Sequence, residues 1–364
     1  MERKRPSPCF TRVAEYDWVR LIATVLVVLG HSAYLEASSA YGGVAYGLPA
    51  NVSPVYLSRV FSVVRFLSGW VYKFHIPLFF MLSGAVFALG AEPSFDQLCR
   101  KKAKRLLLPY FVWGWGFMLP LKRIGNYYTA ETFATALRVF LMGEESGHLW
   151  YLTALMWCML LFLILKKALN RLGIHSGYLL LILVRVVQLL LGNYVKYNVL
   201  DFQMGVEYLL YFAIGYQFEL ERRKHPTLKK STVIIGLLLL ILLEIADKKW
   251  SILEALPGIL AGSALCYLLA YAAKFLFPGV SRSKAWQRLI PNLFYVYIFH
   301  DPLNYLILKV TEKYQWLTTG WGCWVYLLSR TVLVFVVSLL LGSLVTAIKN
   351  RLPGQKNEPR PAIS

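Results

Sequence analysis

Asp17-Trp18-Val19-Arg20-Leu21-Ile22-Ala23-Thr24-Val25-Leu26-Val27-Val28-Leu29-Gly30-His31-Ser32-Ala33-Tyr34-Leu35 is the stretch on which the fold turns. It matches the roughly 20 mostly apolar residues that a helix needs to cross a bilayer. Asp17, Arg20 and His31 interrupt it, and ionisable groups inside a bilayer are costly enough to mark candidate sites. Arg20 and His31 are eleven residues apart. At about 100° per residue they return to within about 20° of one helix face, separated by about 16 Å along the axis. One face therefore carries a cation near one membrane edge and an imidazole deep in the other half. Asp17 lies on nearly the same face.

The rest of the chain repeats the pattern. Of its 364 residues 57% are hydrophobic and only 16% charged, with a mean hydropathy of +0.52. A soluble domain carries about 25% charged residues. Nine further apolar runs follow, at residues 74–89, 106–120, 149–165, 178–192, 203–218, 232–246, 253–276, 290–310 and 322–348. The expected architecture is all-α: a polytopic bundle of about ten transmembrane helices, occupying residues 1–352, with a polar, disordered cytoplasmic tail at 353–364. The net charge of +20 is not a nucleic-acid footprint. The cations sit in short clusters at alternate loops: Arg100 to Arg105, Lys166 to Arg171, Arg222 to Lys230, Lys274 to Arg288, and both tails. That alternation follows the positive-inside rule and places both termini in the cytoplasm of a multi-pass cell-membrane protein. Arg3, Lys4 and Arg5 lie too far before the first run for a signal peptide, so that run reads as a retained helix. Residues 56–65 read as an interfacial helix and 133–142 as an amphipathic stretch, both on the outer side. The five cysteines form no CxxC pair, so neither disulfides nor zinc are indicated.

Four of the six histidines belong to the membrane domain. His75 opens the second run, His148 the fourth, and His300 lies midway along the ninth. With His31, three of them sit toward the outer side, where an imidazole suits proton transfer near neutrality. A metal site is not supported, because no His pair at i,i+4 and no H-E-x-x-H exists. Ser83-Gly84 lacks the glycine of a nucleophile elbow and reads as a small-residue contact between helices.

These residues resemble the acyltransferase-3 family. Arg20 and His31 match its Arg-x10-His signature, within Asp17 to Ser32. Phe74-His75-Ile76-Pro77-Leu78-Phe79-Phe80 with Ser83-Gly84 is similar to its second motif. The basic run before Leu108-Pro109-Tyr110, then His148-Leu149-Trp150-Tyr151-Leu152, then Tyr297-Ile298-Phe299-His300-Asp301-Pro302 match later patterns. The resemblance implies transfer of an acyl group, usually acetyl, from cytoplasmic acetyl-CoA as co-substrate, with no permanently bound cofactor. The acceptor implied is a cell-surface or lipid-linked sugar, such as an exopolysaccharide. On that reading Arg20, Lys104 and Arg105 hold the donor phosphates, and His31 acts as general base or transient acyl carrier. His75 joins it in catalysis, and Trp150, His148, His300 and Asp17 contact the acceptor. The rival reading is a transporter or flippase for a sugar or lipid-linked substrate, since intramembrane His and Arg also suit proton-coupled transport. A third is a helper protein whose histidines only pack.

Overall fold

The computed structural model describes residues 12–32, 36–45, 54–194, 198–225, 230–250, 256–311 and 320–351. The tail at 353–364 and the end of the first run, 33–35, lie outside them.

The first run forms α1 (Ala14–Ser32), followed by a short hairpin of β1 (Glu36–Ser38) and β2 (Gly43–Ala45). Next comes α2 (Pro54–Leu89), 36 residues long. The interfacial helix expected at 56–65 is therefore not a separate element. Nothing between it and the second run breaks a helix, and the two join into one rod of about 54 Å. Pro77 sits inside that rod. From residue 95 to residue 124 the backbone is continuously helical but changes pitch: α3 (Phe95–Lys102), a π turn (Ala103–Leu107), α4 (Leu108–Trp113), a second π turn (Gly114–Met118) and α5 (Leu119–Ile124). Each π turn ends two residues before a proline, Pro109 or Pro120. Proline lacks an N–H and its ring clashes with the carbonyl four residues back, and the wider i→i+5 turn relieves both.

The remaining helices are α6 (Ala130–Val139), α7 (Trp150–Arg171), α8 (Gly177–Tyr194), α9 (Phe202–Glu207), α10 (Leu209–Lys224), α11 (Lys230–Trp250), α12 (Leu256–Leu276), α13 (Lys284–Thr311) and α14 (Gly320–Arg351). Within the described residues, which also omit 253–255, each of the ten apolar runs falls on helix, with one break at Tyr208. Only four stretches among the described residues are long and apolar enough to cross a membrane by length and composition: Gly69–Leu89, Ala130–Arg171, Leu256–Leu276 and Leu328–Arg351. Gly177–Gly192 and Ile234–Ala246 are apolar but shorter. The other runs fall below that mark because they are interrupted or carry polar groups. Glu15, Asp17, Gln217, Glu219, Asn292, His300, Asp301 and Asn304 are all buried.

Helix α1 runs through the centre, packed by α2, α12, α13 and α14. Its N-terminal end is tied down by ions. Tyr16 donates to the fully buried Glu219, which also takes Arg222 at 2.7 Å and Arg223 at 2.8 Å. Lys274 reaches Glu15 at 2.6 Å. Helices α2 and α10 meet backbone to backbone through two glycines. A Cβ on Gly84 would lie 1.9 Å from the Phe212 carbonyl oxygen, and one on Gly215 would lie 1.8 Å from that of Met81. Ser83-Gly84 is thus a helix contact of the small-residue kind. Gly84→Ala and Gly215→Ala should each cost about 1–3 kcal/mol, toward the upper end because backbone cannot swing aside. Thermal unfolding in detergent checks this against Gly236→Ala, whose Cβ meets nothing within 4 Å.

Candidate active site

The fold draws the four intramembrane histidines into one cluster, two of them facing the Asp301 carboxylate. His31, in the last turn of α1, places Nδ1 2.9 Å from Asp301 Oδ1. His148 precedes α7, and its Nδ1 lies 3.3 Å from Asp301 Oδ2. Its Nε2 faces the Ile298 carbonyl at 2.9 Å, so both of its ring nitrogens look at acceptors. Tyr297 donates its hydroxyl to the His148 carbonyl, locking the start of α7 to α13. The His300 ring meets His31 edge-on at 4.7 Å and His148 at 5.2 Å. Tyr72 lies between His31, at 5.9 Å, and His75, at 4.7 Å.

His75 and His300 share one device. Each sits on a helix and turns Nδ1 back toward a carbonyl of the preceding turn, Val71 at 2.9 Å for His75 and Tyr297 at 2.7 Å for His300. A carbonyl accepts only from N–H, so the neutral ring keeps its lone pair on Nε2. His75 is 1% exposed and His300 0%. Their Nε2 atoms have no hydrogen-bond partner among the described residues.

A cleft of about 370 Å³ lies next to this cluster. Arg20, Lys104, Arg105 and Lys349 line it, as do Thr24, Ser83, Tyr151 and Tyr297. The first π turn supplies Lys104 and Arg105, and the last turn of α14 supplies Lys349. Lys349 donates to the Tyr295 hydroxyl at 2.9 Å. Tyr151 and Ser83 pair at 3.1 Å. The cleft therefore brings four cations and the hydroxyls of α2, α7 and α13 into one space, and Tyr297 bonds the His148 backbone directly. Beside the cations, Lys102 is 3% exposed. Burial foremost, then Arg105 and Lys101, holds its ammonium down at about 7.

Two of the residues expected at the acceptor have these neighbours in the structure. Asp17 is paired with Arg12 and stands 3.9 Å from Arg20, at the opposite end of α1 from the histidines. Trp150 packs among Phe80, Tyr151 and Tyr208. Conversely, residues that sequence reasoning passed over belong here. Asp301 is an acid inside the ninth apolar run, the same signal that singles out His31. Arg330, inside the tenth, is 2% exposed and donates from Nε to Asn304, whose amide in turn bonds the His300 carbonyl. Lys122 is buried at the end of α5, 3.9 Å from Glu145 and over the Tyr127 ring at 4.5 Å. Glu145 also accepts from Tyr128 at 2.6 Å.

A family model described as an acyltransferase domain matches residues 13–343, nearly the whole chain and all of this site. The chain belongs to the acyltransferase-3 family and is a membrane acyltransferase. No curated protein and no solved structure matches it.

Proposed function

We propose that this protein moves an acyl group, acetyl foremost, from cytoplasmic acyl-CoA to a hydroxyl of a cell-surface or lipid-linked sugar on the far side of the membrane. The observation that carries this reading is the cleft, lined by four cations and joined through Tyr297 to the histidine–Asp301 cluster. Arg20, Lys104, Arg105 and Lys349 supply charge-assisted contacts to the phosphates of coenzyme A. The pantetheine arm runs along the hydroxyls of Ser83, Tyr151 and Tyr297. His31 gives its Nδ1–H to Asp301, so the neutral ring offers Nε2 as a base, the arrangement by which a carboxylate orients an imidazole in acyl transfer. Nε2 takes the proton of the acceptor hydroxyl as its oxygen attacks the thioester carbonyl. The new C–O bond forms, the C–S bond breaks, and the imidazolium returns the proton to the departing thiolate. The products are the ester and coenzyme A with a free thiol.

Membranes containing the protein, given radiolabelled acetyl-CoA, should label a sugar-bearing fraction, and purified protein should bind the donor. No incorporation together with no donor binding removes the proposal. A charge-assisted contact contributes about 1.5–3 kcal/mol, so Lys104→Ala and Arg105→Ala should each weaken acetyl-CoA binding about 10- to 100-fold. Calorimetric titration checks this, and also a pH effect. Donor phosphates favour the charged form of Lys102, which titrates at about 7 in the free protein. Donor affinity should therefore rise as pH falls through 7 and level off below it. Lys102→Met should flatten that limb.

A further inference from the structure

We propose that His75 and His300 hold the acceptor by accepting hydrogen bonds at Nε2 from two donor groups that flank the hydroxyl being acylated. This rests on the acyl-transfer reading above and adds to it the rule by which an acceptor is chosen.

The geometry leaves these two rings one role. Val71 and Tyr297 hold their Nδ1–H groups, so neither ring turns to present an N–H without losing a backbone contact. What each offers is a lone pair. A buried acceptor atom without a partner costs about 1–3 kcal/mol, and a ligand that satisfies it recovers that free energy. Both rings flank His31, His300 in edge-on contact and His75 across Tyr72. His31 differs from them because its Nδ1 faces a carboxylate rather than a carbonyl. A carboxylate stabilises a ring that gains a proton; a peptide carbonyl does so far less. One histidine is thus built to take a proton and two are built to receive hydrogen bonds without taking it.

The consequence is a selection rule. A compound whose reacting hydroxyl stands beside two further O–H or N–H groups satisfies both rings. A simple alcohol of the same shape leaves two acceptors unmet, and sites built around buried hydrogen-bonding groups discriminate strongly against ligands that lack the match. Asn304 donates its amide N–H to the His300 carbonyl and accepts at its oxygen from Arg330, which keeps the His300 turn of α13 from shifting.

The test uses the full chain in lipid nanodiscs with 15N-labelled histidine side chains. The probes are methyl glucopyranoside and cyclohexylmethanol, which keeps the ring and primary hydroxyl but lacks the neighbouring ones. Signals from His75 and His300 are assigned by their loss in His75→Gln and His300→Gln. Both rings are expected as the Nδ1–H form with an unprotonated Nε2. Both Nε2 signals should move on adding the glucoside, and at least one should stay put with cyclohexylmethanol. A ring protonated at Nε2, Nε2 signals that ignore the glucoside, or equal responses to the two probes would overturn the proposal. The base assignment fails separately: acetyl-CoA turnover that survives His31→Ala would remove it without altering the nitrogen signals.

Discussion

His31→Ala is expected to lower acyl transfer by about 10²- to 10⁴-fold, the range that a positioned general base contributes. The ring is the member of the cluster that meets Asp301 at 2.9 Å, and α1 also carries Arg20, which lines the donor cleft. Alanine removes the proton acceptor and leaves the cleft's cations in place. Donor affinity should therefore stay within about threefold, and the thermal midpoint should move little. Single-turnover transfer of labelled acetyl groups measures the rate, and calorimetry measures donor binding. Full activity in the alanine variant would end the catalytic assignment. A loss of donor binding equal to the loss of rate would instead make His31 a structural residue.

Asp301→Asn should have an effect of similar order while keeping the side chain's shape. The carboxylate receives His31 at 2.9 Å and faces His148 at 3.3 Å from its other oxygen. An amide is uncharged, so it cannot stabilise a protonated His31 ring as the carboxylate does. His31 then loses the partner that fixes its tautomer and stabilises its charged form. The expected result is a fall in kcat of about 10²-fold or more, with the KM for acetyl-CoA little changed. Asp301→Glu, which keeps the charge, should recover part of the rate. A variant with unchanged kcat would show that Asp301 orients nothing that matters to the reaction.

Much of this was legible in the amino-acid sequence, for identifiable reasons. Apolar runs report helices well, and the described residues of all ten lie on helical backbone but for the turn at Tyr208. Histidines stand out against Val and Leu, and all four intramembrane ones converge, because ionisable groups inside a span must find one another or a cavity. The same rule applies to Asp301 and Arg330. Asp301 is hidden in plain view within the Tyr297 to Pro302 motif, where its neighbour His300 takes the eye. Lys122 reads as a loop charge because it follows an apolar run, and its burial depends on Glu145, Tyr127 and Tyr305 arriving from other parts of the chain. The union of residues 54–89 into one helix is equally hidden, since a continuous rod and two abutting helices carry the same local pattern. Asp17 shares the helical phase of Arg20 and pairs with Arg12 at the opposite end of α1 from the histidines.

The two π turns bear on how this chain tolerates changes in length. In an α-helix each residue advances the direction of a side chain by about 100°. A π turn absorbs one surplus residue locally, so the faces on either side keep their angular phase. Lys104 and Arg105 lie inside the first such turn and Tyr110 just beyond it. Removing Ala103 would let the turn close to ordinary α geometry with α3 and α4 still facing their present neighbours. Removing a residue from α4 itself would rotate everything before it by about 100° against everything after. The widened turns are thus the places where this helix has a residue to spare, and the prolines that follow them hold those places fixed.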